Sequence, residues 1–230
     1  MEYADQSSYT MRTNDVTLYA VWKINDKAIA EVFADKNLAL AIAEQLTSGD
    51  VNAILTENMI NSCTTLNSES KGITNLVGIG KLVNLKQLLL ANNKIMSLPL
   101  ELVNLVNLTD LTLDNQQITL QKMSSNSSFT LASPIKNQNG DSVPPNSSFG
   151  DYVINGNDIT WNNLNNQVSS VSFTFEQEIS LGKVKATFSG MAIKPLDVEI
   201  AYVLSFGLNG GEGNIPPSQS VKSGSLAIVR

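Results

Sequence analysis

The sequence contains no histidine and a single cysteine, Cys63. Histidine is the commonest general base and the commonest metal ligand, so its absence removes Ser-His and Cys-His catalysis. One cysteine forms neither an internal disulfide nor a thiolate metal site. We therefore predict that the chain is not an enzyme and that it has no cofactor and no metal site.

Positive charge is also scarce. Lys and Arg total 15 against 21 Asp and Glu, which gives a net charge of −6 and a pI near 4.7. Phosphate binding needs clustered cations, so nucleic acid is excluded as a partner and an electrostatic membrane anchor is disfavoured. No apolar run reaches the roughly 18 residues of a membrane span, and the first 25 residues lack the apolar core of a signal peptide. If the protein is exported, we expect its export signal to lie outside this sequence.

A repeat of 22–23 residues is the strongest pattern that the sequence does contain. This period and its leucine spacing are typical of leucine-rich repeats, in which each strand and return segment buries its apolar side only against neighbouring units. Residues 63–117 hold about two and a half units, fewer than the roughly three of a self-standing stack, so we expect a cap at each end. The repeat positions are Cys63, Leu66, Ser68, Lys71, Ile73 and Leu76, then Leu85, Leu88, Leu90, Asn93, Ile95 and Leu98, then Leu108, Leu111, Leu113, Gln116 and Ile118.

Residues 26–62 are predicted to form a helical cap over the first repeat. Apolar residues recur there with helical spacing. Asp35 is a candidate N-cap, Gly49 follows at a helix stop, and a short turn from Thr56 to Ile60 leads into Cys63. The apolar positions are Ile29, Val32 and Phe33, then Leu38, Ile42 and Leu46.

Residues 118–196 have the composition of a small Ig-like β-sandwich, with short apolar runs between Ser, Asn and Gly. Asn155-Gly156-Asn157 is predicted to be a hairpin turn. The predicted strands are 118–123, 128–132, 150–154, 158–161, 168–175, 179–188 and 190–194.

Both ends of the chain are predicted to contain strands of incomplete modules. Residues 16–22 and 198–208 are the clearer strands, and a Gly-rich turn at 209–211 precedes a weaker one near 225–229. Unpaired strand edges favour intermolecular pairing, so we expect self-association as one outcome.

The order of these parts resembles the internalins, surface proteins of Gram-positive bacteria. Residues 64–76 are similar to the first internalin repeat, and residues 158–161, 171–175 and 186–190 look like the Ig-like domain that adjoins internalin repeats. The ends look like parts of the internalin B-repeat, a β-grasp-like module: residues 9–11 and 15–22 like its close, residues 204–213 and 217–224 like its opening. The repeat asparagine is present only at Asn93, and its replacement by Lys71 and Gln116 predicts a broken asparagine ladder.

The resemblance implies a mostly β, multidomain chain. Its predicted parts are the end of a B-repeat-like module (1–25), the helical cap (26–62), the leucine-rich repeats (63–117), the Ig-like domain (118–196) and the start of a second B-repeat-like module (197–230). It also implies an extracellular or cell-wall location and a role in protein recognition or adhesion, to a host receptor or to a bacterial surface component, with no membrane insertion.

The candidate site is the concave face of the repeats, where alternate strand residues point away from the core. We predict a protein-recognition surface with acidic rims around an exposed Leu89. The alternative is an ordinary solvated surface, because a standard interface needs about 800 Å² per partner. Two further functions stay open at this stage, a structural spacer and a glycan-binding module. The concave-face residues are Thr65, Asn67, Glu69, Gln87, Leu89, Ala91, Asp110, Thr112 and Asp114.

Overall fold

A computed structural model describes residues 27–198, 201–207, 212, 214–215 and 217–222. The predicted strands at 16–22 and 225–229, the turn at 209–211 and the module assigned to residues 1–25 lie outside the described residues. The described part is mostly β-structure with three short helices, as the sequence predicts.

The helices occupy the N-terminal part of the described chain. They are α1 (Ile29–Val32), α2 (Lys36–Thr47) and α3 (Glu57–Ser62). Asp35 is the N-cap of α2, as predicted, because its Oδ1 accepts hydrogen bonds from the backbone N–H groups of Asn37 (2.9 Å) and Leu38 (3.0 Å). The apolar sides of α1 and α2 are buried in the same core as the first repeat.

Asp35 also joins the helices to the first repeat. Its Oδ2 accepts hydrogen bonds from the Thr74 backbone N–H (2.8 Å), the Thr74 hydroxyl (2.7 Å) and the Asn75 N–H (3.1 Å). Burial alone would raise the pKa of this carboxyl, but the hydrogen bonds from Thr74, Leu38 and Asn37 outweigh it and hold the pKa below its usual value. One carboxylate therefore caps a helix and fixes its position on the repeats.

The repeats form a parallel sheet with a short return segment behind it. The strands are β1 (Thr65–Asn67), β2 (Gln87–Leu89) and β3 (Asp110–Thr119), and 3₁₀ turns at Ile79–Lys81 and Leu100–Asn104 form the returns. The predicted leucine positions are buried, from Leu66 at 0% exposed to Leu111 at 6%, and Cys63 lies among them at 2%. The buried thiol, whose pKa burial raises, is a core residue as the repeat pattern predicts.

The prediction of a broken ladder is wrong for the junction between the second and third units. Asn93 Oδ1 accepts from the Ile73 N–H, and its Nδ2 donates to the carbonyls of Ser68, Leu90 and Ala91. Gln116 repeats this pattern one unit later: Oε1 accepts from the Ile95 N–H and Nε2 donates to the carbonyls of Leu90, Leu113 and Asp114. The longer amide spans the same gap, so the ladder continues. It ends at Lys71, which points outward to Glu44.

Strand β3 belongs to both the repeats and the sandwich. Its first residues pair with β2, and residues from Leu113 to Thr119 pair in parallel with β10 (Val184–Val198). A single sheet therefore runs in the order β1-β2-β3-β10-β9-β6, where β9 is Ser170–Leu181 and β6 is Pro145–Ser148, and β4 (Met123–Ser125) pairs with the far end of β10. The predicted boundary between residues 117 and 118 falls inside this strand.

A second sheet completes the sandwich. It consists of β5 (Phe129–Ala132), β8 (Asp158–Trp161) and β7 (Tyr152–Asn155), in that order. Trp161 is 1% exposed and stacks on Phe129, with ring centroids 5.1 Å apart. Lys136 lies in the chain between β5 and β6. Its N–H donates to the Met96 carbonyl and its carbonyl accepts from the Leu98 N–H (3.0 Å each), so these bonds also attach the sandwich to the second repeat.

Two turns test the predicted strand boundaries. The predicted turn at Asn155-Gly156-Asn157 is confirmed, since Asn155 pairs with Asp158 across a two-residue loop. The single strand predicted at 179–188 is wrong, because Gly182 (φ 60°) and Lys183 form a two-residue loop between Leu181 and Val184. Strand β6 was not predicted, since its Pro-Asn-Ser-Ser sequence has little strand character.

The last described strands, β11 (Ala201–Leu204) and β12 (Gln219–Lys222), pair with each other in antiparallel register. Strand β12 lies outside the predicted strands. The β-grasp-like identity of this region and self-association through its edges stay predictions.

Candidate functional site

The parallel register arranges the candidate concave-face residues in rows across the three strands. Thr65, Gln87 and Asp110 are register partners and form the first row. Asn67, Leu89 and Thr112 form the second row in the same way. Glu69 and Ala91 lie two residues beyond the ends of β1 and β2, and Asp114 lies two residues further along β3. The Ser70 N–H donates to the Ala91 carbonyl and the Asn92 N–H to the Asp114 carbonyl, which continues the pairing. The structure therefore brings all nine residues to one side of the sheet.

The nine side chains differ in accessibility. Four are exposed (Thr65, Asn67, Asp110 and Asp114), and four are half-buried (Glu69, Gln87, Leu89 and Thr112). Ala91 is 5% exposed and offers a partner almost no surface. Leu89 lies at the centre of the arrangement and is the one sizeable apolar side chain among them. It is half-buried rather than exposed as predicted, because β2 is the middle strand and has a neighbour on each side.

Hydrogen bonds between neighbouring strands fix several of these side chains. Gln87 Nε2 donates to Asp110 Oδ2 at 2.7 Å. The Thr112 hydroxyl accepts from the backbone N–H groups of Leu90 (3.1 Å) and Ala91 (3.3 Å) and donates to Glu69 Oε1 at 3.5 Å. A partner would therefore meet a preorganised surface, on which few rotamers have to be ordered on binding.

The charge of this face has one sign. Glu69, Asp110 and Asp114 are carboxylates, and none of the other six residues carries a charge. The carboxylates lie on the first and third rows, and Leu89 lies on the row between them. The arrangement can accept hydrogen bonds and attract cations around an apolar centre.

No group of three or more His, Cys, Asp or Glu residues that could hold a metal ion occurs among the described residues. None of the helices in that part of the chain is long and apolar enough to cross a membrane. Reasoning from sequence missed a cavity of about 410 Å³ in the sandwich, because its walls come from four separate segments.

The parallel repeat strands, the amide ladder and the sandwich that shares β3 define a leucine-rich-repeat protein with an Ig-like domain adjoining its last repeat. Residues 140–197 match the family model described as LRR adjacent. The internalin resemblance that the sequence carries is thereby supported.

Two solved structures are similar to this chain to different degrees. The structure is similar to that of the CBM51-2 and INT domains of ZmpB from Clostridium perfringens, with a TM-score of 0.55 and 21% identity over 77% of this chain and 38% of that chain. It is also similar to the functional domain of InlJ from Listeria monocytogenes, with a TM-score of 0.45 and 20% identity over 62% of this chain and 36% of that chain. The chain thus spans well under half the length of each of these structures.

Proposed function

We propose that the chain is part of an internalin-like protein at the bacterial surface or outside the cell, and that it recognises another protein through the concave face. The helices would cap the first repeat and the sandwich the last, so that a short array presents a rigid surface. The partner would be a host receptor or a component of the bacterial surface.

The parallel register is the observation that carries this proposal. It places Leu89 between a row that ends in Asp110 and a row that holds Glu69 and Asp114. An apolar centre with a polar rim is the usual anatomy of a protein interface. Because the charges are all negative, the matching surface of the partner would be basic, and association would slow as the salt concentration rises.

A double substitution tests the proposal. The full chain, immobilised and exposed to solubilised host or bacterial surface proteins, should retain a partner that Leu89→Lys with Asp110→Lys loses. Val106→Lys with Asp141→Lys is the control, because it introduces the same two lysines outside the concave face, Val106 being 78% exposed. If the concave-face variant still retains a partner that the wild type retains, the proposal that this face recognises the partner is wrong.

A structural spacer is the second candidate. The continuous sheet from β1 to β6 favours it, since a rigid joint would hold neighbouring domains at a fixed separation. A spacer retains no partner in the capture experiment with either the wild type or the variants. A glycan array probed with the full chain tests the third possibility, glycan binding, and the absence of any hit removes it.

A further inference from the structure

The sandwich contains a mostly apolar cavity, and none of the nine concave-face residues lines it. The loop between β6 and β7 contributes Phe149 and Asp151, and the segment after β8 contributes Asn163. The remaining wall comes from the start of β9 and from Met191 and Ile193 of β10. The cavity measures about 410 Å³, at the lower end of the range for ligand pockets.

The lining is mostly apolar and partly accessible. Met191, Ile193 and Val168 are half-buried, and Phe149 is 80% exposed. A Phe ring left in water at the mouth of an apolar cavity is surface that a ligand can cover favourably. The volume accommodates one aromatic side chain.

Hydrogen bonds hold Asp151 in place on the rim, where its carboxylate is a hydrogen-bond acceptor. Asn163 Nδ2 donates to Asp151 Oδ2, and the Asn162 N–H donates to the Asp151 carbonyl at 2.8 Å. The wall behind is also held in place, since Trp161 Nε1 donates to Ser148 Oγ at 2.9 Å and the indole stacks on Phe129. The cavity is therefore preorganised.

The negative charge on the lining disfavours an anionic ligand. Asp151 is the one charged residue among the described residues that line the cavity. A carboxylate or phosphate would be repelled there, whereas an aromatic ring with an N–H or O–H group could place its ring against Phe149 and Met191 and donate to Asp151. We infer that the cavity receives a tryptophan or tyrosine side chain of a partner protein, as a second contact point independent of the concave face.

Methionine-methyl NMR of the full chain tests this inference. N-acetyltryptophanamide and N-acetyltyrosinamide, which mimic residues inside a chain, should shift the Met191 methyl signal in a saturable manner. They should bind more tightly than N-acetylphenylalaninamide, which has no ring donor, and Asp151→Ala should abolish that preference. N-acetyltryptophan should bind more weakly than the corresponding amide, because its carboxylate, which no ammonium group offsets, is repelled by Asp151.

Phe149→Ala should weaken binding by about threefold to tenfold, the value of one aromatic contact. Val153→Ala is the matched control, since Val153 is an exposed apolar residue of the same sandwich that does not line the cavity. Unfolding curves for each variant show whether it is folded. The inference is overturned if folded Phe149→Ala binds like the wild type or if no amide shifts Met191. It is also overturned if N-acetyltryptophan, or butylamine as an analogue of a lysine side chain, binds more tightly than the amides.

Discussion

Gln116 forms hydrogen bonds with four backbone groups of the second and third repeats. Its amide accepts from Ile95 and donates to Leu90, Leu113 and Asp114, and the side chain is fully buried. A buried backbone group without a partner costs about 1–3 kcal/mol. Position 116 therefore contributes to stability through polar contacts at the centre of an otherwise apolar stack.

We expect Gln116→Leu to lower the free energy of unfolding by about 2–3 kcal/mol, because an apolar side chain removes the amide's hydrogen bonds to the Ile95 N–H and the Leu113 carbonyl. The carbonyls of Leu90 and Asp114 keep hydrogen bonds from Asn93 and Asn92. Urea unfolding measures the change. Gln117→Leu is the control, since the neighbouring amide is exposed and its Nε2 donates to Asn115 Oδ1 on the surface. Equal stability of the two variants would contradict a continuous ladder.

Asp35 makes stability depend on pH in a defined direction. Its pKa is lowered in the folded state, so its contribution is present in full above the unfolded pKa and is lost as the pH falls through the folded one. We expect Asp35→Asn to cost about 2 kcal/mol above about pH 5, since an amide cannot accept at both oxygens, and to cost progressively less below about pH 4.

The pH dependence is measured as the difference in free energy of unfolding between wild type and variant at several pH values. Asp158→Asn controls for the change in net charge, because it removes an exposed carboxylate. A difference for Asp35→Asn that stays constant from pH 7 to pH 3 would show that the carboxylate charge does not stabilise this junction.

At the scale of elements, the crossing from β3 to β10 depends on a glycine. Gly190 pairs with Gln116 next to a register shift, and a Cβ at this position would lie 2.2 Å from the Gln116 carbonyl oxygen. Strands cannot approach so closely with any side chain there. The sheet can pass from the repeats into the sandwich because this residue has none.

We expect Gly190→Ala to lower the free energy of unfolding by about 2–4 kcal/mol, since backbone rather than a flexible side chain would have to move. Gly207→Ala is the matched control, because nothing lies within 4 Å of the added Cβ. Thermal and urea unfolding both report the change. A Gly190→Ala variant as stable as Gly207→Ala would mean that β10 shifts its register without cost.

At the scale of the whole molecule, the sequence predicts the repeats and the sandwich better than their connection. The period of 22–23 residues predicts which leucines are buried, because stacking imposes that spacing. The extension of β3 into the sandwich, the glutamine in the ladder and the cavity beside Phe149 depend on contacts between segments far apart in the chain. Concave-face positions follow from strand alternation, but the loss of Ala91 from the accessible surface depends on the backbone around it.

The shared strand and the common core predict that repeats and sandwich unfold together. Buried apolar residues from Ile29 to Leu196 form one connected cluster. Two natural probes report on its opposite parts: Cys63 in the first repeat, 2% exposed, and Trp161 in the sandwich, 1% exposed. With Trp22→Phe as the background, indole fluorescence follows the sandwich alone, and a brief pulse of thiol reagent follows the repeats.

We expect the two probes to change at the same urea concentration, within about 0.2 M, as in a two-state transition. Gly207→Ala should leave both midpoints in place, and Gly190→Ala should lower both together if the crossing strand couples the two parts. Labelling of Cys63 at a urea concentration where Trp161 fluorescence is still native would show that the repeats open on their own. The shared sheet would then be a connection between two separately folding units rather than part of one.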